Sequence, residues 1–330
     1  MRAWLGLVIV GIAAVAAMSA QQTTSPFVGA WNLTGVAPDT GYVYWLEVKE
    51  AGGQLSGMFL NRTGNPNPLA VVRVEGDELV FRGGQPAAPT GPEYRARLEN
   101  GKLVGRHTLS APSTSATQPT PVPTDRVVNW IGIRQHVWRP SNANGAHTYG
   151  APVALFDGRS LDAFTPQNPS RPLGWTVTDG VAANEAGANN LVSKAQFMNF
   201  KVEAEYKLGP KSNSGIYLRG RYELQILDDA SDTTTRRDLT HMAIYGRTPP
   251  SVNASRPAGE WQSMTAVLVG NRVTVTLNGQ RVHDNAEILG ITGGALDANE
   301  LTPGPLLIQG DHTGVWLRKL LVTPITRMGN

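Results

Sequence analysis

The chain has 330 residues, with 29 Lys and Arg against 26 Asp and Glu, a formal charge of +3 and no cysteine. A balance so near neutrality, with no cluster of Lys and Arg interleaved with aromatic residues, excludes a nucleic-acid partner. The missing cysteines exclude a disulfide framework and thiolate-bound metal, so the fold has to be held by its own core.

Residues 1–20 read as a signal peptide. Arg2 is a short basic start, residues 4–17 form an uncharged apolar run, and Ser19 and Ala20 offer small residues at a cleavage point. The run is shorter than the ~20 residues a spanning helix needs. An uncleaved N-terminal anchor is the alternative, and without a cysteine after the run there is no lipoprotein anchor. Cleavage predicts a periplasmic or secreted protein that leaves the membrane.

Residues 26–138 read as short alternating strands at 43–49, 54–60, 69–75, 78–82, 94–98, 103–109 and 126–133. Turn signals separate them at Gly52-Gly53, Asn65-Pro66, Gly76-Asp77 and Asn100-Gly101, and no segment carries a 3.6-residue period. The pattern predicts a small antiparallel β-barrel or sandwich. Residues 111–124, with four Pro and six Ser or Thr, cannot pair as a central strand and are expected to be a loop. Residues 139–152 have the composition of a linker.

From 153 to 324 strand signals return, at 174–178, 191–193, 200–207, 215–219, 222–227, 262–269, 272–277, 305–309 and 315–322. Tight hairpins are expected at Gly270-Asn271 and Asn278-Gly279. About ten strands without a helical period predict a two-sheet jelly roll, making the whole chain all-β.

Strand alternation also places chemistry. Leu224 and Ile226 have to face the core, so Glu223 and Gln225 face the other way, beside Tyr217 and Arg219 of the neighbouring strand. A ring to stack on a sugar and polar groups to hold hydroxyls would then share one surface; the plainer reading is a solvated face with an Arg–Glu pair. Asp228 joins that face only if a bulge follows Gln225, and otherwise caps a turn. His312, just past the strand that ends near Gln309, can take a proton near neutral pH. His241 stands in a loop long enough to overhang a site. No histidine pair has metal-ligand spacing, no dinucleotide fingerprint occurs, and Asp228, Asp229 and Asp232 read as an acidic loop sooner than a Ca²⁺ site. No cofactor is expected.

Residues 154–323 carry a series of ordered motifs: Leu155-Phe156-Asp157-Gly158, Trp175 with Asp179-Gly180, Asn213-Ser214-Gly215-Ile216-Tyr217-Leu218-Arg219-Gly220, Tyr222-Glu223-Leu224-Gln225-Ile226-Leu227-Asp228, Ala243-Ile244-Tyr245-Gly246, Gly259-Glu260-Trp261-Gln262, Leu277-Asn278-Gly279, and the closing run Gly304 to His312. In this order and spacing they resemble the 3-keto-disaccharide hydrolase domain family, a concanavalin-like jelly roll. The resemblance implies action on glycosides already oxidised at C3 by a separate sugar 3-dehydrogenase. A C3 ketone acidifies the C2 hydrogen, so a base at C2 can expel the C1 substituent and water can then add. His312 or Glu223 would be the base, Arg219 and Gln225 would hold the enolate oxygen, and Asp228 or the other of the first pair would donate the proton; Tyr217, His241 and Gln309 would bind substrate. A sugar-binding module without catalysis remains an alternative. So does a conventional retaining glycosidase, because Glu-x-Gln-x-x-Asp at 223–228 resembles the Glu-x-Asp-x-x-Glu of concanavalin-like glycosidases with its middle acid lost.

Overall fold

A computed structural model of the protein describes residues 24–85, 87–109, 126–231 and 236–329. The expected signal peptide and the Pro-rich loop at 111–124 lie outside the described residues.

Eight strands come first: β1 (Gly29–Gly35), β2 (Val43–Ala51), β3 (Gln54–Asn61), β4 (Asn67–Glu75), β5 (Glu78–Gln85), β6 (Ala88–Glu99), β7 (Lys102–Leu109) and β8 (Arg126–Arg134). Each pairs antiparallel with the next, and β8 returns to β1, so of the two architectures expected this is the closed barrel. Asn100 and Gly101 take φ of 51° and 76°, the left-handed pair that a two-residue turn between β6 and β7 demands. Alternation along β8 sends Val128 and Trp130 inward and Val127, Asn129 and Ile131 outward. Gly105 lies opposite Trp130, and a Cβ there would strike the indole, so glycine is what lets that ring lie across β7. An eight-stranded barrel is just wide enough to be filled by side chains, and this one is filled by aromatic rings.

β2 departs from alternation. Val43, Tyr44, Trp45 and Leu46 are all buried, Tyr44 and Leu46 in the barrel core and Val43 and Trp45 in the core of the second unit. A strand covered on both faces reads as a continuous apolar run, as this one does.

The second unit consists of β9 (Thr148–Tyr149), β10 (Val153–Phe156), β11 (Phe164–Pro166), β12 (Trp175–Thr178), β13 (Val181–Asn184), β14 (Leu191–Phe197), β15 (Phe200–Leu208), β16 (Asn213–Leu218), β17 (Tyr222–Leu227), β18 (Trp261–Val269), β19 (Arg272–Leu277), β20 (Gln280–Glu287), β21 (Gly304–Ile308) and β22 (Val315–Arg327). The large sheet runs β12-β13-β22-β15-β18-β19-β20, with β9 and β10 also pairing to β22; the small sheet runs β11-β14-β21-β16-β17. This is the expected jelly roll. Among the described residues the helical content is one 3₁₀ turn, Arg237–Leu239. β15 alternates strictly, burying Phe200, Val202, Ala204, Tyr206 and Leu208 in a cluster shared with Ile216, Leu218, Leu224 and Ile226 of the small sheet.

The stretch with linker composition is docked along the jelly roll. Ser141 Oγ donates to Val269 O at 3.0 Å, Ala143 N donates to Asn285 Oδ1 at 2.8 Å, and Thr274 Oγ1 donates to Asn144 Oδ1 at 2.6 Å. The polar side chains that make it look like a tether pair instead with groups of β18, β19 and β20.

Candidate functional site

The register of the small sheet assembles the site. Tyr217 on β16 stands opposite Glu223 on β17 and Leu307 on β21, and Gly215 stands opposite Gln225. Gln309 N donates to Gly215 O at 2.9 Å, which prolongs the β21 pairing past its last strand residue. Along the outer edge of β17, Gln225 N donates to Ala243 O and Tyr245 N to Glu223 O, both at 3.0 Å. Two cross-strand rows result on the face turned away from the large sheet: Leu307, Tyr217, Glu223 and Tyr245 in one, Gln309, Gly215, Gln225 and Ala243 in the next. Thus Tyr217, Glu223, Gln225 and Gln309 share a face. That face was expected to be open, yet Tyr217, Glu223 and Gln225 are only 3%, 4% and 4% exposed. The segments after β17 and β20 close over it.

Glu223 is the centre of the arrangement. Its carboxyl packs over Gly215, where a Cβ would collide with Oε1. Tyr217 Oη lies 2.8 Å from Glu223 Oε2 and 2.9 Å from Gly293 O. One hydroxyl hydrogen cannot serve two acceptors. With Glu223 protonated the chain closes: Glu223 donates to Tyr217 Oη, which donates to Gly293 O. The electrostatics agree. Burial pushes the Glu223 carboxyl up to about 8; the hydrogen bond that Tyr217 can donate to the ionised carboxylate opposes this, and the charge of Asp311 adds to it. Burial, then the Glu223 charge, raises the hydroxyls of both Tyr217 and Tyr245.

Asp311 and His312 follow β21. Gly310 N and Asp311 N donate to Asn190 Oδ1 at 2.7 and 3.1 Å, fixing the turn. His312 Nδ1 lies 2.8 Å from Asp311 Oδ1, with the carboxylate 5% and the imidazole 44% exposed. The hydrogen bond to Asp311 raises His312 above the usual histidine range, against the opposing effect of burial. It also fixes the tautomer: Nδ1 carries the hydrogen, and Nε2 is left as the free basic nitrogen. Sequence reasoning passed over Asp311 and Tyr245. Both stand within the ordered motifs, and an acid immediately before a histidine at a strand end was the available signal for the first.

Three expected site residues lie elsewhere. β16 stops at Leu218, and Arg219 and Gly220 take φ of 54° and 65°, so strand alternation does not continue to Arg219. Its fully buried side chain donates from Nε to Met198 O at 2.7 Å and from Nη2 to Gly270 O at 2.6 Å, tying the small sheet to the β18–β19 turn. Asp228 is not brought round by a bulge, since β16 and β17 pair in unbroken register; its Oδ2 accepts from Lys211 N at 2.8 Å and caps a turn. His241 does not overhang the face. It is buried, with Nδ1 donating to Leu227 O at 2.8 Å and Nε2 2.7 Å from Tyr206 Oη. Asp229 accepts from His241 N at 2.8 Å, which accounts for one member of the acidic loop, whereas Asp232 is outside the described residues. Among the described residues no group of three or more His, Asp or Glu is placed to hold a metal.

The family model of the 3-keto-alpha-glucoside-1,2-lyase-like domain matches residues 151–323, which takes in both rows of the covered face and the Asp311–His312 pair. A 3-keto-disaccharide hydrolase of Bacteroides thetaiotaomicron is 22% identical over 164 residues, covering 39% of this chain and 57% of that protein, so the chain spans little more than half the length of this curated relative. Among solved structures, a candidate glycosyl hydrolase of Parabacteroides distasonis is similar at 24% identity and a TM-score of 0.46, over 58% of this chain and 94% of that one. A second candidate glycosyl hydrolase of that organism is 23% identical with a TM-score of 0.43, over 53% of this chain and all of that one (100%). By the match of its second unit, the chain belongs to the 3-keto-alpha-glucoside-1,2-lyase-like domain family.

Proposed function

We propose that the protein is exported to the periplasm or beyond and cleaves the glycosidic bond of glycosides oxidised at C3, by elimination across C1 and C2 followed by addition of water. The observation that carries this reading is the Glu223–Tyr217 pair: a buried carboxyl pushed up to about 8, on the same covered face as the Gln225 and Gln309 amides and within electrostatic reach of Asp311. Elimination from a 3-keto sugar needs one base and one acid that both work near neutral pH. His312, neutral at Nε2 and oriented by Asp311, takes the C2 proton; electrons form the C1–C2 double bond as the C1–O bond breaks, and neutral Glu223 protonates the leaving oxygen. The Gln225 amide supplies a donor for the enolate oxygen at C3. Water then adds at C1, losing its proton to the Glu223 carboxylate, and His312 returns its proton to C2. Both groups end as they began, and the sum is hydrolysis. No electrons leave the substrate, so the ketone has to come from a separate sugar 3-dehydrogenase.

The test offers a 3-keto-disaccharide and its unoxidised parent to the purified chain. Selective cleavage of the ketone is expected, with a rate that rises as His312 loses its proton and falls as Glu223 ionises near pH 8. Glu223→Gln should lower turnover by something like 10² to 10⁴, the usual range for a lost acid or base. Equal cleavage of the parent would indicate a conventional glycosidase. Binding of both sugars without cleavage of either would leave a sugar-binding module.

A further inference from the structure

The segment between β20 and β21 forms a layer between the barrel and the covered face, and each side of it is gripped. On the site side, Glu223 N donates to Thr292 Oγ1 at 2.9 Å, Thr292 N donates to Arg221 O at 2.9 Å, and Gly293 O is the acceptor beside Tyr217 Oη. On the barrel side there are three holds. Trp45 of β2 carries the Arg247 guanidinium on its ring at 3.9 Å, and Arg247 Nη2 donates to Ile291 O at 2.7 Å. At the β3–β4 turn, Gly294 N donates to Arg62 O at 2.8 Å, and Gly293 packs so closely on Gly64 that a Cβ would collide with the Gly64 carbonyl. Asn32 of β1 donates from Nδ2 to Glu300 Oε2 at 2.7 Å, and Glu300 Oε1 accepts from Tyr222 Oη at 2.8 Å.

The contacts alternate along the segment. Gly290 and Ile291 meet the barrel side, Thr292 and Gly293 O meet the site, and Gly294 N meets the barrel again. The same turn reaches the other flank of the face, where a Cβ on Gly246, next to Tyr245, would collide with Asn65.

From this layering we infer that the N-terminal barrel is a positioning element of the candidate active site: Trp45 and the β3–β4 turn hold Gly293 where its carbonyl keeps Tyr217 on Glu223 and keeps water off the carboxyl. The inference rests on the assignment of Glu223 to the reacting site and gives the barrel a role in it that needs no ligand of its own. The groups facing Glu223 are Tyr217 from β16, Tyr245 from the segment along β17, Thr292 from the layer and Asp311 from beyond β21. None belongs to the barrel, so the barrel acts only through the layer.

The test is a titration of the Glu223 carboxyl by carbon-13 NMR in the full chain with labelled glutamate, its resonance assigned by its loss in Glu223→Gln. Gly293→Ala forces the layer off Gly64. Trp45→Leu keeps an apolar contact but removes the ring under Arg247, and Trp45→Phe restores a ring. In Gly293→Ala and Trp45→Leu the titration midpoint should fall toward the ordinary carboxylate range by about one pH unit or more, because water reaches a group that desolvation had raised. Trp45→Phe should stay near the wild-type value. A titration unmoved in both disruptive variants, with only the melting temperature lowered, would make the barrel a mere stabiliser and overturn the inference. Should Gly293→Ala fail to fold, the Trp45 pair decides. The titration needs no substrate, so its outcome stands apart from whether 3-keto-glycosides are cleaved.

Discussion

Inside the barrel, Tyr44, Tyr94 and His107 are buried against one another: the His107 ring stacks on Tyr94 with centroids 4.4 Å apart, and its Nε2 lies 3.4 Å from Tyr44 Oη. On the covered face of the small sheet, Tyr217, Glu223 and Tyr245 are gathered in much the same way. Both regions put ionisable groups where water does not reach, and in both the neutral form wins. The consequences differ because the groups differ. Burial pushes His107 down to about 4, so it stays uncharged across the physiological range and does the work of an aromatic ring. Burial pushes Glu223 up to about 8, so the same physics leaves an acid poised to give up its proton near neutral pH. Depth of burial therefore does not separate filler from site; the direction in which burial moves the group relative to neutrality does.

Arg219 tests the comparison hardest, because it is a buried group that stays charged. Burial lowers its pKa, yet a guanidinium starts so high that it keeps its proton, and it is tolerated because carbonyls take two of its donors. Arg219→Ala leaves the Met198 and Gly270 carbonyls without a donor and opens a cavity between the sheets. A loss of about 3 kcal/mol or more in urea unfolding is expected, with turnover per folded molecule changed less than about threefold. The reverse result, full stability with turnover lost by 10²-fold, would return Arg219 to the oxyanion role that strand counting suggested.

The two buried groups of the comparison also predict opposite pH slopes. Glu223 has a folded pKa above its unfolded one, so the folded chain holds the extra proton between about 4.5 and 8, and stability declines as pH rises through that window. His107 has a folded pKa below its unfolded one, so the unfolded chain holds the extra proton between about 4 and 6.5, and stability declines as pH falls through that window. Across its whole window each decline is expected to amount to a few kcal/mol, up to about 5 for Glu223 and about 3 for His107, since a tenfold change in proton affinity is worth about 1.4 kcal/mol. Thermal melts of Glu223→Gln should lose the alkaline decline and keep the acid one, and His107→Phe should do the opposite. Identical slopes in both variants would mean that other groups dominate and that the two burials are not the energetic pair described.

Much of the fold was legible because β-structure announces itself locally. Alternation along β8 and β15 and turn residues such as Asn100-Gly101 each have a physical cause within a few residues of themselves, whereas the burial of both faces of β2, read as one more alternating strand, comes from the core of the second unit. The shared face of Tyr217, Glu223 and Gln225 was legible for the same reason, since a period of two needs only one anchor, here Leu224 and Ile226. What could not be read depended on distant segments or on a backbone that left the strand. Arg219 was assigned by extending the period one residue past the end of β16, onto the position where the chain turns left-handed. The covering of the face by residues 242–245 and 289–296 comes from chain far away in sequence, so an open surface was expected where there is a buried one. The Asp311–His312 pair was within reach, because only the neighbour of a singled-out residue had to be asked about.

The smallest effect is expected at Asp228, and it bears on which carboxyl partners Glu223. If the site were that of a retaining glycosidase built on Glu223 and Asp228, the two carboxyls would have to face each other about 5 to 5.5 Å apart, and Asp228→Asn would abolish the nucleophile or the acid. Instead Asp228 N donates to Ser212 O at 2.9 Å and Asp228 Oδ2 accepts from Lys211 N at 2.8 Å, which makes it a cap on the turn before β16. The carbonyl oxygen of asparagine can take over that single acceptor role. Asp228→Asn should therefore cost less than about 1 kcal/mol of stability and leave turnover within about twofold, whereas Asp311→Asn, which removes the charge beside His312 and near Glu223, should shift the pH–rate profile. A loss of 10²-fold or more in Asp228→Asn with an unchanged profile in Asp311→Asn would reverse the assignment and restore Asp228 as the second carboxyl.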